Sequence, residues 1–237
     1  MSKSIGVIIS ISIILSAFIF GLFFYNAQYH KNSVRVVGYA SMEYPSDIAR
    51  WQVSFYENTG INDLGNGYKK ISKTLDSFKS YLSQINLPLE NLSIRSPYTY
   101  SNYSQSGQII GYNIEQTVIY TIQDTSLFKF IEYVNNKPDV LFERGVKTRN
   151  STIEYYISEL PQLKHNIIAE ATKDARIRAN KVAESGGNKI GKVLSARVGV
   201  FQITEPLSTE VQSYGIYNTS TRQKQISVTV TTEFEIK

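Results

Sequence analysis

The chain has 237 residues, a formal charge of +5, 17 tyrosines, two histidines and no cysteine. Without cysteine it can hold no disulfide, no thiolate metal site and no cysteine nucleophile. Its lysines and arginines are interleaved with acidic residues and form no basic stripe, which argues against nucleic-acid binding.

Residues 1–4 form a short N-terminal segment. Ile5 to Tyr25 then run for 21 residues without a charge or a proline. That is about 31 Å of helix, enough to cross the hydrocarbon core of a bilayer. The run exceeds the usual apolar region of a signal peptide, and a cut after Ala27 would place bulky Tyr25 where a small residue is preferred. We read it as a transmembrane signal-anchor. The alternatives are a cleaved signal that leaves a free periplasmic protein, and a buried core helix. Lys3 favours an inside amino terminus, whereas His30, Lys31 and Arg35 pull the other way. An anchor that exports its C-terminal body is the orientation adopted. Residues 26–33 are then a juxtamembrane linker, and 34–237 one soluble domain.

Val34 to Tyr39 reads as a first strand, and Met42 to Asp47 as a turn. Ala49, Trp51, Val53 and Phe55 alternate with polar residues in a second, half-buried strand. Leu64, Tyr68, Ile71, Leu75, Phe78 and Leu82 form one apolar stripe, predicting a helix over 62–85 that Pro88 cannot extend. A short strand is expected over Asn91–Ser96, then a tyrosine-rich loop from Tyr98 to Ile110. The strand that follows carries Tyr112, Ile114, Val118, Tyr120 and Ile122, and Gln116 on the same face needs a partner. Asp124 can cap a short helix lined by Leu127, Phe130, Ile131 and Val134. Val140 to Val146 reads as a strand.

The longest helix is expected over Ser158–Glu184. Its stripe is Leu163, Ile167, Ala171, Ala175, Ala179, Val182 and Ala183. Ala171, Ala175 and Ala179 make a candidate helix-packing face that lets a neighbour approach closely, whether the sheet, another helix or a second subunit. Ser185-Gly186-Gly187-Asn188 stops the helix. Strands are expected over Ile190–Val200 and Gln225–Ile236, with Ile226, Val228, Val230, Phe234 and Ile236 alternating and Thr232 completing the face. A second tyrosine-bearing loop spans 202–224. This order predicts an α+β fold, with antiparallel or mixed sheets against which two long helices and one short helix pack. The two tyrosine-bearing loops each precede a long strand, which hints at two related halves.

Chemistry is sparse. Gly186 to Val193 imitates a phosphate loop, but Val193 stands where Ser or Thr must hold magnesium, and the glycines follow a helix. His30 and His165 have no second histidine or carboxylate pair at zinc-ligand spacing. No Gly-x-Ser-x-Gly elbow nominates a serine. Asp47, after Pro45, suits a turn better than a ligand. No catalytic, metal or cofactor residue is assigned, and no cofactor is expected. The better lead is Tyr98, Tyr100, Tyr103, Tyr214 and Tyr217, a candidate interaction surface for a second copy, an envelope protein or a glycan.

Val36-x-Gly38, Pro45-x-Asp47-x-Ala49 and Gly111-Tyr112-Asn113 together resemble the bacterial SIMPL-domain proteins. So do Ala171-x-x-x-Ala175-Arg176-x-x-Ala179, Gly187 with Ile190-Gly191-Lys192-Val193, and Ile226-x-Val228-x-Val230. The resemblance spans about residues 34 to 236. It implies an exported, envelope-associated protein of undefined activity, linked in relatives to oxidative-stress tolerance and to large homo-oligomers. It carries over no catalytic residue. With no cysteine and only Met1 and Met42, direct thiol chemistry is excluded. The expectation is a single-pass inner-membrane protein with a periplasmic body, not an enzyme, acting by self-assembly or partner binding. The rival readings are an envelope hydrolase, which would need a cleft around His165 or Asp47, and a passive structural protein.

Overall fold

The computed structural model describes residues 3–29 and 32–237; His30 and part of the expected linker lie outside these. Helix α1 (Lys3–Tyr29) contains the apolar run, none of which is buried against the rest of the chain. Beyond it stand two five-stranded sheets, each under one long helix.

Sheet A joins β1 (Ser33–Pro45), β7 (Ile190–Val198), β8 (Gln202–Thr204), β9 (Ile216–Tyr217) and β10 (Gln223–Ile236). Strands β1 and β10 pair antiparallel along their whole length, from Ser33 opposite Glu235 to Pro45 opposite Gln223. On the other side of β10 lie β7 and β8, both antiparallel to it, and β9 joins β8 in parallel. Helix α5 (Leu160–Ser185) covers one face.

Sheet B joins β2 (Ile48–Thr59), β3 (Leu92–Ile94), β4 (Tyr98–Tyr103), β5 (Ile109–Ile122) and β6 (Thr148–Tyr156). Strands β5 and β2 form its centre, with β6 on one edge and β3 and β4 on the other. Helices α2 (Leu64–Gln84) and α3 (Phe128–Asn136) pack on its inner face, and α4 (Asp139–Phe142) follows α3.

The α+β class holds. The two halves are nested rather than sequential, because residues 48–156 of sheet B lie between β1 and the remaining strands of sheet A. Only Ser46 and Asp47 separate β1 from β2. The expected turn over Met42–Asp47 is therefore mostly strand: Met42 to Pro45 pair with Ile226 to Gln223 of β10, leaving two residues to change sheets.

Lobe B has the larger core. Trp51, Phe55, Phe78, Tyr120 and Phe128 are all buried, and the Phe78 ring lies 5.5 Å from Trp51 and 5.3 Å from Phe55. Its buried polar groups are paired. Trp51 Nε1 donates to Ser151 Oγ at 2.9 Å, which donates on to Asn135 Oδ1 at 2.7 Å. Gln116 meets its expected need by donating to the Arg95 carbonyl at 3.1 Å.

Lobe A packs differently. Ala171, Ala175 and Ala179 are fully buried, and α5 lies directly on β1 at Gly38. A Cβ there would fall 2.0 Å from the Ala171 carbonyl oxygen and 2.5 Å from the Ala175 nitrogen, so only glycine fits. The alanine face is thus occupied by the chain's own sheet. Val182 is exposed instead of belonging to that stripe. Gly187, at φ +75°, ends the helix where the Ser185–Asn188 stop was expected.

Several local expectations need correction, and the expected loop over 202–224 in fact contains β8, β9 and the start of β10. Residues 98–103 are strand β4, paired with β5 across a turn in which Gly107 takes φ +80°. The expected strand Val140–Val146 is instead the short helix α4 and the turn after it, with Gly145 at φ +75° and the Val146 N–H reaching back to the Leu141 carbonyl. Strand β6 was not anticipated, because only Ile153 and Tyr155 give it an apolar period. In α3 it is Phe128, not Phe130, that is buried beside Ile131 and Val134.

Candidate functional site

Two exposed surfaces stand out, one on each sheet and its helices. On the outer face of sheet B, β4 and β5 pair Tyr98 with Glu115 and Tyr100 with Asn113. Residues two apart on a strand share a face, so the rings of Tyr98 and Tyr100 stand together, 6.0 Å apart and nearly parallel. Tyr98 is 67% exposed. Arg149, from β6, reaches across β2 to this cluster. Its guanidinium donates to the Tyr100 hydroxyl, pairs with Glu115 at 3.2 Å and lies 5.8 Å from the Tyr100 ring centre. The Tyr100 hydroxyl first, and Glu115 after it, raise the Arg149 pKa and keep it charged. Asn113 donates its side-chain amide to Asn102 beside them.

Two adjoining clefts share Arg149. One, of about 440 Å³, is lined by Arg95, Tyr98, Tyr100, Glu115 and Thr117 with it. The other, of about 320 Å³, is lined by Tyr56, Asn58, Asn113 and Thr148 with it. The five tyrosines singled out from sequence do not form one patch. Tyr98 and Tyr100 make the platform, and Tyr103 is exposed at the end of the same strand. Tyr214, 99% exposed, stands on the loop of lobe A. Tyr217 is not a surface residue in the same sense. Its ring stacks on Tyr156 at 5.8 Å and its hydroxyl accepts from the Ile157 N–H at 3.1 Å, while burial raises its pKa.

The second surface is the edge of sheet A. Its two outer strands differ. On β1, Asp174 of α5 accepts the outward N–H of Tyr39 at 2.8 Å, and Arg178 holds that carboxylate at 2.7 Å. The Tyr39 N–H, followed by Arg178, keeps Asp174 below its usual pKa and so ionised. On β7, no strand among the described residues pairs with the outer edge. Gly199 donates to the Thr229 carbonyl, so by alternation the N–H groups of Ala196 and Val198 point away from β10. A bulge between Val193 and Ser195 lies at Leu194, and Val193, Leu194, Val198 and Val200 are all exposed.

Asp47 is occupied as a joint: its two carboxylate oxygens accept the Ser158 N–H, at 2.8 Å, and the Ser158 hydroxyl. Neither Asp47 nor His165 lines the clefts described. Among the described residues no group of three or more His, Asp or Glu is close enough to share a metal.

The family described as SIMPL, protein of unknown function (DUF541), matches residues 34–234. The chain belongs to the SIMPL family. No curated protein matches it. It is similar to the crystal structure of an uncharacterized conserved protein from Listeria innocua, at 11% identity and a TM-score of 0.23, over 80% of this chain and 91% of that one. Ahead of the SIMPL region, the apolar helix fits either a signal-anchor or a signal peptide of an exported protein.

Proposed function

We propose that this SIMPL protein is a single-pass inner-membrane protein with a periplasmic body, and that it acts by self-assembly and partner contact rather than by catalysis. The observation that carries the reading is the inequality of the two edges of sheet A. An exposed strand edge is a template for another strand, and proteins that must stay apart block it. Here α5 supplies an acceptor to one outward N–H of β1, at Tyr39, whereas the outward N–H groups of Ala196 and Val198 on β7 have no acceptor among the described residues and lie beside exposed valines. A second copy is the occupant we assign to that edge. A part in oxidative-stress tolerance, if the protein shares it, is indirect in a chain without thiols.

Light scattering on a size-exclusion column, with the full chain in detergent at several concentrations, tests this. A discrete, concentration-independent oligomer is expected, falling to a smaller species in Ala196→Pro, which removes an outward donor. Val198→Lys serves as a second variant that leaves the backbone free to fold. A monomer throughout, or an oligomer indifferent to both changes, would refute assembly through β7.

A further inference from the structure

The outer face of sheet B is a binding surface that self-assembly does not explain, and we infer that it takes an acidic polysaccharide. Three features select that class. The first is composition. Neither Arg149-sharing cleft is lined by any aliphatic side chain; tyrosines and polar residues alone line both. The cleft beside β8, in contrast, includes Val200, Val211 and Val228. A peptide anchored by apolar side chains would find no pocket for them in either cleft.

The second feature is geometry. Tyr98, backed by the Tyr100 ring, presents an open ring in the first cleft, and Tyr56 lines the second. The apolar C–H face of a pyranose ring packs on such a platform, while its hydroxyls need planar polar partners at the rim. Asn58, Asn113, Glu115 and Arg149 supply these along the floor, from one cleft into the next, so that successive sugar rings can lie across the strands.

The third feature is charge. The groove holds Arg95, Arg149 and Glu115, a balance of one positive charge. Arg149 already has Glu115 as its partner, whereas exposed Arg95 makes no ion pair among the described residues. A guanidinium open at the rim of a sugar-binding groove suits a carboxylate substituent, to which it can donate two parallel hydrogen bonds.

The full chain in detergent would be titrated calorimetrically with oligogalacturonate. A neutral maltooligosaccharide of equal length, and poly-glutamate, serve as comparisons. Saturable binding to oligogalacturonate alone is expected, weakened about tenfold by Tyr98→Ala through loss of the platform, and similarly by Arg95→Gln. Both positions are on the surface, so an unchanged melting temperature and an unchanged oligomer mass would confirm intact folding and assembly. Equal binding of poly-glutamate would make the groove a general anion or acidic-peptide site and overturn the proposal. Equal binding of the neutral sugar would remove the assigned role of Arg95. No binding of oligogalacturonate, or binding indifferent to both substitutions, would also overturn it.

Discussion

In lobe B the long helix meets its sheet through large rings, Phe78 filling the space between Trp51 and Phe55. In lobe A the corresponding helix meets its sheet with almost nothing between the backbones, Ala171 and Ala175 against Gly38. Both lobes bury one face of a five-stranded sheet under a long helix, joined in lobe B by α3, yet the first depends on side-chain volume and the second on its absence. The close approach has a structural consequence. It brings Asp174 to the level of the β1 edge, where its carboxylate can reach the Tyr39 N–H. A helix held off by leucines would leave that N–H without its acceptor.

Opposite changes of volume should therefore injure the two lobes. Phe78→Ala empties a site with no solvent exposure and should cost about 3–5 kcal/mol, read from guanidinium unfolding of the full chain in detergent. Gly38→Ala adds a single carbon where two backbone atoms already stand, at 2.0 and 2.5 Å, and should cost about 3 kcal/mol. Native-state amide exchange sharpens the contrast. Phe78→Ala should speed exchange first in β2 and β5, and Gly38→Ala first in β1 and β10. If each substitution loosens both sheets equally, the lobes are one cooperative unit and the comparison describes packing style alone.

That contrast was partly legible in the residues. The stripe of α5 and the alternation of β10 mark their buried faces directly, since period and burial coincide there. The ring-filled helix α2 was equally plain. What escaped was every element whose stabilising contacts are polar. β4 reads Tyr-Thr-Tyr-Ser-Asn-Tyr and lies at a sheet edge, so no apolar alternation betrays it. β6 turns Ser151 inward as a partner for Trp51, which looks like a loop residue until the indole N–H is in view. The groove was illegible for the same reason. Tyr98 and Tyr100 could be named from composition, but Arg149 comes from the unseen β6, and Glu115 is the outward residue of a strand recognised by its inward ones. Tyr217 was misjudged because a tyrosine beside polar residues gives no hint that a distant ring, Tyr156, will stack on it.

The seam between the lobes offers the subtlest of these tests. Lys224, at the start of β10, is wholly buried where the chain passes from one sheet to the other, and its Nζ donates to the Asn218 carbonyl at 2.6 Å. No carboxylate pairs with it among the described residues, and burial lowers its pKa from 10.5 to about 8. Below pH 8 the amine is charged in both folded and unfolded chains, so the full burial cost, about 3 kcal/mol, weighs on the native state. Between the folded value of about 8 and the unfolded value of 10.5 the native protein releases its proton first. Stability attributable to this residue therefore rises with pH through that window and levels off above it. Lys224→Met removes the charge but also leaves the Asn218 carbonyl without its donor, a loss of roughly 1 kcal/mol. The variant should be more stable than the parent by about 2 kcal/mol at neutral pH, and its advantage should shrink and change sign in alkaline buffer, above the unfolded value. Denaturant titrations of both proteins across that pH range check the crossing. A constant difference at every pH would mean that Lys224 keeps its ordinary protonation in the folded chain, through a polar contact the seam makes available to it.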